Sequence, residues 1–398
     1  MKEHARSIFD HALSSVDPRQ AVKNVHLDLP PGPIYSIAIG KAATSMAHGL
    51  EDALGDRLTA PVLIAVGGHP LPDENSLAAA QAVFALLDRA NAEAATVIFL
   101  ISGGGSAMIE WPVSDEISLA DLQAANRTLI SCGASIAEVN AVRRAFSAVK
   151  GGGLARRAPH AKTFTLIVSD TNPGDEANVA SGPTLSPPSD SPKAIDVVAH
   201  YHLENILPPS IMEAVRAQKS PTTSVNGPHQ LLLDNHSALA AACDKASELR
   251  YSCTVLTKIC EQPIAEGCEL LLSSLLNPVT ECAVSGGEFA CPVRGDGRGG
   301  RNLETVLRCA IGLANQSGES PHFVVLSAGT DGIDGNSPAA GAIADETTVQ
   351  RARNLGLDPE QYLARSDSYS FFERLNDLIV TGPTGTNVRD LRILLRGP

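Results

Sequence analysis

Apolar positions along this chain fall into short runs of strand length, separated by longer stretches in which apolar residues recur every three to four positions. After an opening amphipathic helix at about residues 2–15, the runs at 34–39, 61–66, 96–101 and 163–168 read as strands. The stretches to about 54 and at 76–90, 118–131 and 135–149 read as helices. The alternation resumes with strand 231–233, helix 236–249, strand 252–257, helix 261–276 and strands 282–285 and 289–293. A helix from 301, strands 323–326 and 378–380 and a closing helix complete it. Strands alternating with helices over the whole length predict an α/β fold, here two α/β domains with largely parallel sheets. At 398 residues and 43% apolar composition, each domain can bury a core of ordinary size. The polar segment 218–230 is the best linker, giving domains at 1–225 and 226–398, with the closing helix free to pack back on the first.

The polar residues cluster where these strands end, which is where parallel sheets collect ligands. Lys41 sits in the strand-to-helix turn after 34–39, but no glycine lies five residues before Gly40, and Ala42 stands where a Walker A loop needs Ser or Thr. Ser102-Gly103-Gly104-Gly105-Ser106 follows the next buried strand, and its successive N–H groups can form an anion nest, or simply a tight turn. Asp170 and Asp175, five apart after strand 163–168, suit holding Mg²⁺ or orienting a hydroxyl, and are equally at home as turn formers. Helix 135–149 carries Asn140, Arg143 and Arg144; Lys150 follows, and the glycines at 151–153 read as ordinary capping.

The densest cluster is 281–307. It holds Glu288, then Gly295-x-Gly297-x-x-Gly300 with Arg298, Arg301 and Asn302 at a helix start, a combination that reads as an anion cradle. The same letters fit a dinucleotide fingerprint, yet two arginines in or beside it suit a negative group better. The acid near ribose-reading distance, Glu319, falls in a polar turn. Asp331 and Asp334 follow strand 323–326, and Thr384 lies in the Gly/Thr loop after 378–380. So many clusters at strand ends predict an active site assembled in a cleft between the domains.

Charge and cysteine usage narrow the class. A net charge of −13 without a basic run argues against nucleic-acid binding. The charged amphipathic start and the lack of an 18-residue apolar span argue against a signal peptide or membrane helix, so the expected location is cytoplasmic. Eight cysteines without a C-x-x-C pair read as reduced thiols rather than a disulfide frame or zinc site. Whether the chain forms a homodimer is left open.

An ordered series of motifs resembles the class II glycerate kinases, whose C-terminal half is called the MOFRL domain. In the first half they are Gly40-Lys-Ala-Ala43, Gly67-Gly-His-Pro-Leu-Pro-Asp73, Ser102-Gly-Gly-Gly-Ser-Ala107, Lys150-Gly-Gly-Gly153, Ser169-Asp170 with Pro173-Gly-Asp175, and Ala180-Ser-Gly-Pro-Thr184. In the second they are Ser285-Gly-Gly-Glu288, Gly297-Arg-Gly-Gly-Arg-Asn-Leu-Glu304, Ala328-Gly-Thr-Asp-Gly-Ile-Asp-Gly335 and Thr381-Gly-Pro-Thr-Gly-Thr-Asn387. Leu303 stands where the family commonly shows Gln, and Thr171-Asn172 where a Val is usual. The resemblance implies an ATP- and Mg²⁺-dependent kinase acting on D-glycerate, typically at the 2-hydroxyl, with Lys41 and Arg301 as its main polar residues. On that reading Lys41, Arg301 and Asp170 are catalytic, and Asp170 and Asp175 hold the metal. Residues 102–106, Glu288, Gly297, Arg298, Gly300, Asn302, Asp331 and Thr384 bind the reactants. Two other readings remain, a nicotinamide-dependent hydroxypyruvate or tartronate semialdehyde reductase and a non-enzymatic organic-anion binder.

Overall fold

The computed structural model describes residues 1–218, 225, 227–315 and 322–397, arranged as two compact units, Pro18–Leu232 and Met1–Asp17 with Leu233–Pro398. Glu319, weighed above as a ribose reader, lies outside the described residues, as does residue 226 at the expected domain boundary.

The Pro18–Leu232 unit is built on β1 (Ile34–Ile39), β2 (Leu63–Ala65), β3 (Thr96–Ser102) and β4 (Lys162–Val168), with β5 (His229–Leu233) at the edge, in the order β2-β1-β3-β4-β5. Pairings from β2 to β4 are parallel, with Ile37 opposite Leu63, Ile34 opposite Thr96 and Thr96 opposite Lys162. β1 and β3 are buried along their whole length, which is why their runs are continuously apolar rather than alternating. Tyr35, Ile37, Ile39, Val97, Phe99 and Ile101 pack against Val83 and Leu87 of helix Glu74–Ala92. Each such side chain fully removed from water contributes about 1.5–3 kcal/mol. That helix starts at Asp73, whose carboxylate accepts from Ser76 N in a capping box. A second core cluster joins helices Leu119–Ser131, Ile136–Phe146, Ala194–His200 and Pro209–Ala217 through Leu122, Phe146, Val198 and Ile211.

The other unit contains a six-stranded sheet made of β6 (Cys253–Val255), β7 (Cys282–Ser285), β8 (Phe323–Gly329), β9 (Gly341–Asp345), β10 (Leu378–Ile379) and β11 (Asp390–Arg396), in the order β10-β9-β8-β11-β7-β6. Only β6 and β7 run parallel; β7–β11, β11–β8, β8–β9 and β9–β10 are antiparallel, so the expectation of a largely parallel sheet fails here. The expected closing helix is β11. Its Leu/Arg-rich sequence favours a helix locally, but it fills the slot between β7 and β8 with Arg392 opposite both Ser285 and Ser327, and tertiary pairing overrides propensity. Residues 289–293, expected as a strand, form only an isolated bridge from Ala290 to Pro263.

The opening helix, Lys2–Ser15, groups with the C-terminal half rather than with the expected 1–225 domain. Ala5, Ile8, Phe9 and Ala12 are completely buried against Leu239, Ala242, Val284, Leu326, Leu391 and Ile393. Cys243 and Cys253 are disulfide-bonded, with Cα atoms 5.4 Å apart, so the expectation of eight free thiols fails at this pair. Their ten-residue spacing carries no motif; the second half of helix Asn235–Glu248 and the start of β6 bring them together.

Candidate active site

Each unit gathers its own set of predicted site residues. In the first, the carboxyl ends of β1, β3 and β4 converge. The Lys41 amide donates to the Gly103 carbonyl (2.9 Å) and the Ala42 amide to Ser102 Oγ (3.0 Å), stitching the lysine turn to the triple-glycine loop. Ser102 Oγ also reaches the Ile39 carbonyl (3.3 Å), and the residue is fully buried. Its hydroxyl therefore ties the loop to the end of β1.

The glycines themselves are demanded by close approach. A Cβ on Gly103 would overlap the Asp170 carboxylate, and one on Gly104, whose φ is +78°, would lie 2.9 Å from Lys41 Cγ. Lys41 and Asp170 thus rest on adjacent glycines of one loop, with Lys41 exposed and Asp170 half-buried. Gly105 packs under Ile39 and Ala180. Ser106 Oγ is 2.8 Å from Ser181 Oγ, which donates to Asn140 Oδ1 (2.7 Å). Ala180 and Ser181 hold φ of 51° and 62°, a left-handed conformation that costs a non-glycine residue on the order of 1 kcal/mol or more. Asp175 shares the loop of Asp170 and organises it through its backbone, its carbonyl accepting from Thr171 Oγ1 (3.2 Å) and the Asn178 amide (2.8 Å).

In the second unit, Arg301 opens helix Arg301–Ala314 and points its fork at Asp390 of β11, with Nε 2.6 Å from Oδ2 and Nη2 3.1 Å from Oδ1. Glu288 adds an ion pair to Nη2 at 2.9 Å. Asn302 donates Nδ2 to Asp390 (2.8 Å) and accepts from Ser327 Oγ (2.6 Å). Burial alone would raise the Asp390 carboxyl, but the charges of Arg301 and Arg392 hold it below the usual carboxylate range. Burial likewise opposes charge on Arg301, yet Asp390 and Glu288 outweigh it and raise the guanidinium further. Arg301 is therefore a permanently charged, bidentately anchored cation with its side chain one-third exposed.

The amides of the 295–300 loop and of the helix start after it are hydrogen-bonded within the chain. The Arg298 amide donates to Asp367 Oδ1 (2.9 Å), the Gly299 amide to Asn336 Oδ1 (2.8 Å), and the Asn302 and Leu303 amides to the two Asp334 carboxylate oxygens (3.1 and 2.8 Å). The Gly297 amide donates to the Arg365 carbonyl (3.1 Å), and a Cβ on Gly300 would overlap the Asp334 carboxylate. Asp334 is fully buried and its carboxyl is pushed up to about 7, first by burial and then by nearby Asp390, against the two amide donors and Arg301. Arg298 lies apart from Arg301, its guanidinium 4.4 Å from the Tyr369 ring centre. Asp331 and Thr384 meet, the Thr384 amide donating to the Asp331 carbonyl (3.3 Å) and Thr384 Oγ1 to the Thr330 carbonyl (2.6 Å).

The structure thus joins Lys41 with Asp170 and residues 103–106, and Arg301 with Glu288 and Asn302. It adds Asp390, Asp334 and Ser327, which sequence reasoning did not assign. Asp334 was visible as one acid in a Gly/Asp turn, whereas Asp390, inside a segment that reads as helix, gave no signal. No group of three or more His, Cys, Asp or Glu suited to a metal occurs among the described residues.

Comparison with known proteins converges on one family. Residues 4–216 match a domain of unknown function, DUF4147, and residues 281–390 match the MOFRL family. The chain is 34% identical to the D-glycerate 2-kinase of Thermotoga maritima, over 99% of this chain and 98% of that protein. It is 36% identical, over 98% of this chain and 94% of the other, to an Agrobacterium vitis protein whose name assigns it provisionally as a hydroxypyruvate reductase. A crystal structure of glycerate kinase from Thermotoga maritima superimposes with a TM-score of 0.84 at 33% identity, covering 99% of both chains. With DUF4147 and MOFRL in sequence, and with motif loops that fold onto strand ends as described, the chain belongs to the class II glycerate kinase family.

Proposed function

We propose that this protein transfers the terminal phosphoryl group of ATP to the 2-hydroxyl of D-glycerate. The carrying observation is likeness along 99% of the chain to a protein named D-glycerate 2-kinase. The local chemistry supports it, because phosphoryl transfer asks a protein mainly to position groups and neutralise charge. Lys41, exposed on the glycine loop, neutralises a phosphoryl or carboxylate group. Arg301 adds a fixed positive charge, its geometry set by Asp390 so that little reorganisation accompanies the reaction. Asp170, against Gly103 and beside Lys41, is placed to accept the hydroxyl proton or to ligate Mg²⁺. One or two carboxylates plus substrate phosphates are the donor set Mg²⁺ ordinarily takes; Asp170 and Asp175, on one loop, would hold that ion, and it would supply charge neutralisation at the phosphates. Lys41 and Arg301 belong to different compact units, and in this proposal both serve the same transfer.

The reductase reading is weaker here, because the Arg298 and Gly299 amides of the fingerprint are engaged by Asp367 and Asn336, and the helix-start amides of Asn302 and Leu303 just after it by Asp334. A coupled ADP-release assay with D-glycerate separates the two, with ³¹P NMR of the product. The expected result is Mg²⁺-dependent formation of the 2-phosphate, abolished by EDTA and restored by Mg²⁺. NADH oxidation by hydroxypyruvate without ADP release would overturn the class, and a 3-phosphate product would overturn the regiochemistry.

A further inference from the structure

The Pro18–Leu232 unit contains a cavity of about 610 Å³ that shares no residue with the Lys41 site. Its walls come from the end of helix Ile136–Phe146, the Lys150–Gly153 turn and helix Pro209–Ala217. Three basic residues line it, Arg144, Lys150 and Arg156, in a chain whose net charge is −13. Lys150 is accounted for, since it is buried in an ion pair with Glu110.

The two arginines are not. Neither has a carboxylate ion-pair partner among the described residues. Arg144 donates Nη2 to Asn178 Oδ1, which fixes its direction, while its enclosed Nε has no hydrogen-bond partner. Burial pushes the Arg144 guanidinium down to about 10 with no carboxylate offsetting it, so a cation that stays charged at neutral pH bears an uncompensated desolvation cost. Arg156 stands exposed at the mouth, with Nη1 held by the Gly151 carbonyl at 2.8 Å.

The glycines between them explain how two cations share one wall. A Cβ on Gly151 would lie 3.2 Å from Arg144 Cδ, and one on Gly152, whose φ is +84°, 2.9 Å from Arg156 Nη1. Gly151 and Gly152 thus leave room for the two arginine side chains, whereas Gly153 is required by the Ala148 carbonyl beneath it. Two carboxylates also line the cavity, Glu116 and Glu213, both exposed and solvated at the rim. They disfavour a highly charged polyphosphate and leave room for an anion of low charge.

We infer that this cavity is a binding site for a small oxyanion, a carboxylate or a phosphate monoester, held between the Arg144 and Arg156 guanidiniums. A fork that matches planar or tetrahedral oxyanions bidentately is what arginine supplies and lysine does not. The site also has a route to the Lys41 loop, because Arg144 bonds Asn178, whose carbonyl accepts from Asn140 Nδ2 (3.3 Å), and Asn140 in turn holds Ser181 and through it Ser106.

The chain has a single tryptophan, Trp111, whose carbonyl accepts from the Ala148 amide of the cavity wall (2.8 Å), so its fluorescence reports on this place. Titrating the full-length protein with inorganic phosphate and, separately, with D-glycerate at constant ionic strength should give a saturable change with at least one of them. That change should persist in Lys41→Ala and weaken at least tenfold in Arg144→Gln and in Arg156→Gln. A response to phosphate alone identifies a phosphate monoester as the ligand type, and one to glycerate alone identifies a carboxylate. Arg156 is exposed, so Arg156→Gln keeps the test valid if Arg144→Gln fails to fold. No saturable change with either anion by fluorescence and by calorimetry, an equal response to chloride, or unaltered affinity in a folded Arg156→Gln would each overturn the site. Loss of kinase activity with the titration intact would overturn the proposed function and leave this inference standing.

Discussion

Lys41 and Arg301 differ in how the fold treats them. Lys41 is an exposed ammonium on a glycine platform, whereas Arg301 is locked by a buried carboxylate and retains its charge at any accessible pH. Removing either should cost turnover on the order of 10²-fold or more, as loss of one preorganised charge-stabilising contact does. If both act on the same phosphoryl group, the Lys41→Ala/Arg301→Ala double variant should lose far less than the product of the single losses. Full multiplicativity of kcat effects would show that the two charges serve separate groups. The glycine platform makes its own forecast. Gly103→Ala must displace Asp170 and should lower kcat at least tenfold, while Gly174→Ala, in open space at φ +89°, should cost no more than about 1 kcal/mol of stability through strain and leave kcat near wild type. Equal kcat for the two variants would mean that the Asp170–Gly103 contact is dispensable.

At the scale of elements, helix Arg301–Ala314 has an N-terminus that its own sequence cannot cap, because Gly300 offers no side chain. Asp334, thirty-odd residues away, supplies the acceptor for two of its first amides. That carboxyl titrates near 7 in the folded chain because burial dominates, against about 4 when unfolded. Between those values the native state binds more protons than the unfolded state, so this group's stabilisation is complete below pH 4 and is lost as pH rises through 7. Relative to Asp334→Asn, which cannot titrate, the wild-type melting temperature should therefore fall between pH 5 and pH 8. A wild-type-minus-variant difference that stays flat over that window would mean that Asp334 is ionised throughout. The cap also shows what a sequence cannot separate, since unpaired amides beside glycines look the same whether the anion that fills them is a phosphate or a distant aspartate.

On the scale of the whole molecule, the unit formed by Leu233–Pro398 is incomplete without the first seventeen residues, and Phe9 is completely buried in its core. Phe9→Ala should cost about 3–5 kcal/mol, read as a lowered denaturation midpoint, and Leu233–Pro398 expressed without Met1–Asp17 should fail to fold. An unchanged midpoint would show that the helix only decorates the surface. The sequence by itself determined the α/β class, because β1, β3 and β8 are buried on both faces and their runs must be apolar whatever they pair with. It also determined the Lys41 turn and the triple-glycine loop, whose partners lie one β/α step away, and its ordered motifs marked the family. Only the tertiary structure decided that 390–396 is a central antiparallel strand, that the opening helix joins the far half, that Cys243 pairs with Cys253, and that Asp390 and Asp334 organise Arg301 and its helix. Each of these depends on residues that meet across folded elements, as Arg392 meets Ser285 from 107 positions away, and a local pattern of polarity carries no record of such a meeting.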